Sequence, residues 1–409
     1  MTAVLHRGDS LSGRQRLVYV LVLGALTALG PFTVDLYLPS LPDVQGDFGV
    51  STSLVQLTLS ATTIGFALGQ LIVGPWSDAV GRRIPLIAAT VLHVVASILV
   101  ALSPNIELLI VFRALQGFGA AAGGVVAVAT VRDLFGGYPL VRMLSRLALV
   151  SGLAPVIAPL AGSALLLVFP WRGIFWVLAA YGLLVVVASI VFIVETLPVH
   201  RRREPGGTTA VQRYRALFRD RQFVGIAILS GMVFSGLFAY LTTSPFLFQD
   251  HFSFTPQQYG LLFAVNSVGI ILGVQTSSRI ARRVGPQWIL ALATPGLLVS
   301  AIVIVIDAIL GAGVWGVLIP LWFFVTACAF CFPCVQAVAL AHHGGEAGTA
   351  ASVLGAANFG IAGLISPLIS LFGVASSIPM GAMMIGTSII GILALWLIVR
   401  PKTVAALDH

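Results

Sequence analysis

The segment that decides the fold covers residues 51–102 and reads STSLVQLTLSATTIGFALGQLIVGPWSDAVGRRIPLIAATVLHVVASILVAL. It contains two apolar runs, 51–73 and 84–102, joined by a short connection that carries charges and glycines. Each run approaches the length of about 20 residues that an α-helix needs to cross the hydrocarbon core of a bilayer. The segment therefore predicts two membrane-spanning helices joined by a tight turn.

The whole chain has the composition of a membrane protein. Of its 409 residues, 58% are apolar and only 9% are charged, whereas a soluble domain carries about 25% charged residues. So few charged side chains cannot coat a water-facing surface. The composition argues against a soluble enzyme, a DNA-binding protein or a disordered regulator, and it predicts an all-α polytopic membrane protein.

Apolar windows predict twelve membrane spans. They cover residues 17–39, 51–73, 84–102, 106–129, 142–168, 171–195, 222–248, 257–278, 286–306, 312–340, 350–373 and 377–399. Residues 196–221 form the one long polar connection, which we expect to be a cytoplasmic loop. It divides the chain into an N-terminal six-helix half, 1–195, and a C-terminal half, 222–409.

The basic residues predict the direction of the chain. With a cytoplasmic N-terminus, all of the 22 Lys and Arg residues except Arg113 and Arg172 fall on the cytoplasmic side. This asymmetry follows the positive-inside rule, so we expect both termini in the cytoplasm. It also accounts for the net charge of +8 without a nucleic-acid partner, because basic loops contact anionic headgroups of the lipid bilayer.

Glycines and prolines recur at offsets of about half the chain. The matching pairs are Gly65 with Gly269, Gly69 with Gly273, Pro39 with Pro245, Gly152 with Gly360, and Pro159 with Pro367. Parallel repeats of six helices are typical of transporters that rock about a site near the bilayer midplane. The pattern predicts two pseudo-symmetric halves.

Three motifs carry a family resemblance. The connection Gly74-Pro-Trp-Ser-Asp78-Ala-Val-Gly81-Arg82-Arg83 resembles the loop signature G-x-x-x-D-x-x-G-R-[RK] of the major facilitator superfamily. The stretch from Arg113 through Gln116 to Gly117 is similar to its R-x-x-Q-G pattern. A third stretch looks like a degenerate copy of the exporter-type glycine–proline motif and predicts helix-packing positions at Gly152, Pro155 and Pro159.

Two further stretches narrow the resemblance. Asp35-Leu-Tyr37-Leu-Pro39 and Tyr240-Leu-Thr-Thr-Ser-Pro245-Phe246 resemble the drug:proton antiporters of the Bcr/CflA branch. The resemblance implies a monomer in a bacterial inner membrane that exports small hydrophobic drugs or antibiotics of the phenicol or bicyclomycin class by alternating access. It implies protons as the coupling ion and no cofactor. The alternatives are an uncoupled facilitator or importer, and an exporter of an endogenous metabolite.

Asp35 and Arg113 are the two charges predicted to lie inside the membrane. A carboxylate at membrane depth costs about 2.5–3.5 kcal/mol on insertion scales, so it usually faces a cavity and has a function. Burial favours its neutral, protonated form. Because both residues lie about 6–10 Å from the outer face by helical rise, we expect them to share the outer half of a central cavity. Competition of proton and substrate for Asp35 would then produce antiport.

Each of these two residues has a simpler interpretation. Asp35 could be wetted and inert at the outer interface, and Arg113 could be a structural clamp on helix carbonyls.

Polar and aromatic residues predict the substrate site. Gln56 and Ser60 fall on one face of the second span, because side chains four residues apart share a helix face. A mostly apolar pocket with few polar groups suits a small neutral or weakly polar molecule, although interhelical hydrogen bonding could account for each residue. The predicted substrate-binding residues are Tyr37, Gln56, Ser60, Gln116, Tyr240, Phe246, Asn266, Gln336 and Asn358.

The loop signature also predicts a conformational latch. Its glycines permit a tight turn, and Asp78 would accept from backbone N–H groups at a helix start or pair with a nearby arginine such as Arg132. Such a contact would join the two halves on the cytoplasmic face and break on opening. The alternative is a turn whose solvated charges only set topology. The predicted latch residues are Gly74, Asp78, Gly81, Arg82, Arg83 and Arg132.

We expect neither a metal site nor an enzyme. Cys328, Cys331 and Cys334 mimic metal-ligand spacing, but Pro333 interrupts them and no fourth ligand is evident. A membrane enzyme would need a clustered acid, base or metal set, and the sequence predicts only Asp35 and Arg113 clearly inside the membrane.

Overall fold

The computed structural model describes residues 11–197, 210–341, 347–370 and 376–404. Within these ranges the chain is helical throughout, with no strand. The helices of the first half are α1 (Gly13–Asp35), α2 (Leu41–Phe48), α3 (Thr52–Val80), α4 (Arg83–Ala101), α5 (Ile106–Leu134), α6 (Gly137–Leu165) and α7 (Trp171–Phe192). Those that follow are α8 (Ala210–Arg219), α9 (Arg221–Phe246), α10 (Pro256–Val284), α11 (Pro286–Leu310), α12 (Gly313–Leu340), α13 (Ala347–Ser370) and α14 (Ile378–Leu393).

Twelve helical stretches in the described ranges are long and apolar enough to cross a membrane, and they coincide with the twelve predicted spans within a few residues at most ends. The first span differs, because α1 continues through a 3₁₀ turn, Leu38–Ser40, into the short helix α2. The predicted connection 196–221 contains α8, and its residues 198–209 lie outside the described residues. The boundaries of the two halves stay a prediction.

The helices pack as two bundles of six spans, α1–α7 and α9–α14. In the first bundle a Cβ atom on Gly117 would lie 2.0 Å from the carbonyl oxygen of Thr62, so only glycine permits this approach of α5 to α3. Gly65 and Gly69 of α3 also lie against α5, and their counterparts Gly269 and Gly273 of α10 lie against α12. The repeated glycines therefore make equivalent contacts in the two halves, as expected for pseudo-symmetric halves.

Gly152 does not have the predicted packing role in this structure. It is exposed, and a Cβ atom there would meet nothing within 4 Å. Pro155 and Pro159 lie inside α6, and the carbonyl of Pro159 faces Gly260 of α10. The motif thus contributes to the contact between halves through Pro159.

The two ends of the bundle differ in charge. We call the end that carries Arg82, Arg132 and Arg221 the basic end, and the end that carries Asp47 and Glu107 the acidic end. At the acidic end the halves are joined by amide groups that donate to backbone carbonyls. Gln56 donates to Thr242 at 3.0 Å, Gln249 to Pro39 at 3.0 Å and Gln257 to Ser163 at 3.1 Å. We call this contact the glutamine seam.

Candidate functional site: a central cavity and two buried charges

A cavity of about 510 Å³ lies between the halves toward the basic end. Its walls include Gln70 and Gly74 from α3, and Ser352 and Asn358 from α13. Phe359 is the deepest position of α13 on its wall, about 18 Å from the start of the helix by helical rise. We call this space the central cavity. It is open to one end of the molecule, since the glutamine seam closes the other.

An aromatic cluster bounds the deep end of the central cavity. The ring of Phe359 lies 4.5 Å from that of Phe66 across the two halves, and 4.9 Å from that of Phe234. These residues stand near the middle of their helices, so the cavity ends near mid-membrane. Residues closer to the acidic end are therefore separated from it.

Asp35 is the last residue of α1 and lies in that closed region, only 6% exposed. Its carboxylate makes no hydrogen bond or ion pair with another described residue. The phenol groups of Tyr240 and Tyr259, on the opposite half, lie within electrostatic range. The side chain is therefore buried beside the seam without a partner that neutralises it.

Arg113 is fully buried in the N-terminal half. Its guanidinium donates to the carbonyl of Thr33 at 2.9 Å and to Oε1 of Gln116 at 2.6 Å. It also lies over two aromatic rings, 4.7 Å from the centroid of Tyr37 and 5.4 Å from that of Phe175. Aromatic faces attract a cation electrostatically, so this charge is held by rings and neutral oxygens instead of a carboxylate.

The structure does not bring Asp35 and Arg113 together, which corrects the expectation of a shared cavity. Thr33 and Tyr37, four residues apart, present one face of the chain to Arg113. Asp35 lies between Thr33 and Tyr37 in sequence. Because side chains two residues apart on a helix point in directions about 200° apart, the side chain of Asp35 faces the other half. Depth along a helix does not determine which face a side chain occupies.

The predicted substrate residues divide into three groups. Gln336 and Asn358 line the central cavity. Tyr37 and Gln116 belong to the Arg113 cluster, where Gln116 also donates to Ser97. The remaining residues are buried toward the acidic end, where Asn266 donates to the hydroxyl of Tyr240 at 2.9 Å; these residues are Gln56, Ser60, Tyr240, Phe246 and Asn266. The nine predicted substrate-binding residues therefore do not line a single pocket in this conformation.

The loop signature forms a charged network around Arg82. This side chain contacts Asp78 at 2.5 Å, Ser77 at 2.9 Å and Asp133 at 2.9 Å. Burial disfavours the charge of Arg82, but the two carboxylates outweigh that effect and raise its pKa above the usual value. Gly81 ends α3 with a φ of 108°, which favours glycine and positions the turn.

The partner of Asp78 is Arg82 and not Arg132, which corrects the sequence-based pairing. Arg132 lies on the wall of the central cavity near Gly348 of α13. Glu195, after α7, accepts from the backbone N–H groups of Arg82 and Arg83. Among the described residues, the contacts of Arg82 and the backbone bonds to Glu195 join helices of the N-terminal half.

Several residues of these sites were not predicted from the sequence. Asp133 directly follows Arg132, and Glu195 stands at the end of a predicted span, so both were visible as charges at the ends of spans. Nothing in the sequence distinguishes Phe175 of α7, because an aromatic residue in an apolar helix that packs in the core looks the same as an aromatic residue that faces lipid. Tyr214 lies in the polar connection between the halves, a segment that no sequence motif links to these sites.

Comparisons with known proteins agree with this architecture. The family model of the Major Facilitator Superfamily matches residues 23–367. The MFS-type transporter YdgK of Bacillus subtilis is 36% identical over 385 residues, 94% of this chain and 96% of that protein. A bicyclomycin resistance protein homolog of Haemophilus influenzae is 30% identical over 378 residues, 92% of this chain and 95% of that protein.

A solved D-xylose–proton symporter shares the fold, with a TM-score of 0.79 over 96% of this chain and 99% of that one at 15% identity. The predicted fold class and family are thus confirmed. The chain belongs to the Major Facilitator Superfamily, in its Bcr/CflA-like branch, and is a membrane transporter and not an enzyme.

Proposed function

We propose that this chain is a proton-coupled antiporter that exports small, apolar, drug-like molecules by alternating access. The observation that carries the proposal is the carboxylate of Asp35, buried beside the glutamine seam without a partner. The Haemophilus relative is named as a bicyclomycin resistance protein homolog, and this name supports a drug of that type as substrate.

The coupling follows from the cost of burying a charge. A closed seam favours neutral, protonated Asp35, because an ionised carboxylate at low dielectric is unfavourable. Substrate binding in the central cavity shifts the aromatic cluster that separates this cavity from Asp35, which opens a path for the Asp35 proton toward the basic end. The ionised carboxylate then favours opening of the seam, where water hydrates it. Protonation from the acidic end closes the seam again, so one proton enters as one substrate leaves.

Arg113 contributes a fixed positive charge on the opposite side of α1. This charge lowers the energy of ionised Asp35 by Coulomb attraction through the protein. Each entering proton gains about 2.3 kcal/mol per 100 mV of membrane potential, which is sufficient to drive export against a gradient. The Arg82 network keeps the basic end of the N-terminal half rigid during the cycle.

The decisive experiment measures transport in proteoliposomes with an imposed pH gradient, using chloramphenicol and bicyclomycin as probes. We expect pH-driven accumulation with the wild type, and none with Asp35→Asn. The matched control is Asp307→Asn, a carboxylate on α11 away from the seam, which should transport normally. Unchanged uphill transport by Asp35→Asn would show that coupling does not depend on Asp35, and transport by the wild type only down the substrate gradient would indicate an uncoupled carrier. Failure of the wild type to move any compound of a wider drug panel would overturn drug export.

We further propose that the basic end faces the cytoplasm of a bacterial inner membrane, and that the protein acts as a monomer. The asymmetry of Lys and Arg supports this orientation. The three native cysteines are buried, so single introduced cysteines at Arg14 and Glu107 can be labelled with an impermeant maleimide on intact cells. Labelling of Arg14→Cys but not Glu107→Cys would contradict the orientation, and a dimer mass in native mass spectrometry would contradict the monomer.

A further inference from the structure

A second cavity of about 370 Å³ lies within the C-terminal half. Its walls come from α9, α10, α12 and α13, and Gln336 and Asn358 line both this space and the central cavity. We call it the side pocket. The two cavities therefore adjoin at the carboxamides of Gln336 and Asn358.

The carboxamides at the junction have free hydrogen-bond donors. Ser230 donates to Oδ1 of Asn358 at 2.6 Å, which occupies the amide oxygen and leaves the N–H groups of Asn358 without a partner among the described residues. Gln336 is exposed to the cavities and makes no hydrogen bond to any described residue. Gln336 is exposed and Asn358 is half-buried, so their N–H groups are accessible to acceptor atoms of water or of a ligand.

The rest of the side pocket is apolar and partly aromatic. Phe234 and Phe332 supply rings, and Pro333 and Leu354 complete much of the wall. None of the described residues that line the side pocket is charged. The charges on the cavity walls, Asp78, Arg82 and Arg132, stand toward the basic end. An ion in the side pocket would therefore lose its hydration without gaining a counter-charge.

We infer that the side pocket is the substrate-binding subsite, and that it selects neutral molecules that combine a flat apolar ring with hydrogen-bond acceptors such as carbonyl, nitro or ether oxygens. The ring packs against Phe234 and Phe332. The acceptor atoms of the ligand accept hydrogen bonds from the N–H groups of Asn358 and Gln336. This inference rests on the proposed export function and deepens it. It assigns substrate recognition to the C-terminal half and proton binding to Asp35 beside the glutamine seam.

The first test measures equilibrium binding to the purified full-length protein in nanodiscs. The probes are radiolabelled chloramphenicol, which is neutral and carries a nitroaromatic ring, and the cation tetraphenylphosphonium. We expect the wild type to bind chloramphenicol well and the cation at least about tenfold more weakly. Asn358→Leu and Gln336→Leu should each weaken chloramphenicol binding by about tenfold, because they remove a donor but keep the side-chain size. The control is Gln287→Leu at the start of α11.

The second test locates the ligand. Val274 lines only the side pocket and Val128 only the central cavity, so cysteines introduced at these positions report on each space separately. Chloramphenicol should slow the reaction of Val274→Cys with N-ethylmaleimide and leave that of Val128→Cys nearly unchanged. Protection of Val128→Cys alone, or equal binding of the cation, would overturn the inference.

The outcomes separate this inference from the proposed function. If Asn358→Leu binds and exports chloramphenicol like the wild type, the side pocket fails as the subsite while drug export stands. If the wild type binds neither chloramphenicol nor bicyclomycin and exports no drug, both fail.

Discussion

The hydroxyl of Tyr214 donates to the backbone carbonyl of Leu71 at 2.9 Å. In an α-helix this carbonyl would accept from the N–H four residues later, but position 75 is proline, which has no N–H. Tyr214 stands on α8, the helix of the connection between the halves, and also lines the central cavity. The connection is therefore docked onto the first half at the one carbonyl that Pro75 leaves without a helical donor.

This relationship predicts the effect of Tyr214→Phe. Removing the hydroxyl leaves the Leu71 carbonyl unsatisfied, so we expect a loss of roughly 1–3 kcal/mol in unfolding free energy. Tyr181→Phe is the matched control, because Tyr181 donates to the carbonyl of Ala25 at 2.7 Å, and residue 29 still supplies that carbonyl with a helical N–H. Thermal unfolding in detergent should show a larger decrease for Tyr214→Phe.

A double-mutant cycle tests the cause. Pro75→Ala restores the helical donor to Leu71, so Tyr214→Phe should cost much less in that background than in the wild type. Equal costs in both backgrounds would show that the hydroxyl stabilises the protein in some other way.

Asp35 and Arg113 should differ in their effect on stability. Asp35→Asn removes no hydrogen bond or ion pair found in the described structure, so we expect unfolding free energy within about 1 kcal/mol of the wild type. Arg113→Gln loses the bond to Thr33 and the contacts with Tyr37 and Phe175, which should cost roughly 2–4 kcal/mol. Thermal unfolding checks both, and a severe loss for Asp35→Asn would reveal a partner that this conformation does not contain.

Alanine substitutions at Gly117 and Gly124 of α5 should change the unfolding free energy in opposite directions. Gly117→Ala would place a Cβ atom against the Thr62 carbonyl and should destabilise by roughly 3 kcal/mol or more. A Cβ atom on Gly124 meets nothing within 4 Å, so Gly124→Ala should stabilise the helix by about 0.5–1 kcal/mol. The yield of monodisperse protein and the unfolding temperature measure the difference, and similar values for the two variants would contradict the close approach of α3 and α5.

Arg82 should matter more for stability than Arg132. Arg82→Gln leaves Asp78 and Asp133 without their cation and should cost roughly 2–4 kcal/mol. Arg132→Gln changes an exposed side chain on the cavity wall and should cost less than about 0.5 kcal/mol. If the order were reversed in thermal unfolding, the pairing of Asp78 with Arg82 would be wrong.

The positions of the spans were predictable because hydrophobic length is a local property of the sequence. The depth of Asp35 and Arg113 in the membrane, which was inferred from helical rise, stays a prediction. The face that each side chain occupies was not predictable, because it depends on how α1 is rotated against its neighbours. The pairing of Asp78 failed for a similar reason, since Arg82 and Arg132 are both nearby cations and only the folded turn decides between them.

The substrate site was predicted as one pocket, but the predicted residues lie in separate regions of this structure. Gln336 and Asn358 face the central cavity in this conformation, whereas Gln56 and Ser60 are sealed at the closed end. A list of polar residues in a sequence does not say which of them share a wall. That depends on how the helices are rotated and packed.

The glutamine seam has a consequence for how the closed end responds to its surroundings. Its three bonds run from neutral amides to backbone carbonyls, so none of them titrates and none is screened by salt. Each contributes on the order of 1 kcal/mol. The strength of this closure should therefore be constant across ionic strengths, unlike a closure made from ion pairs.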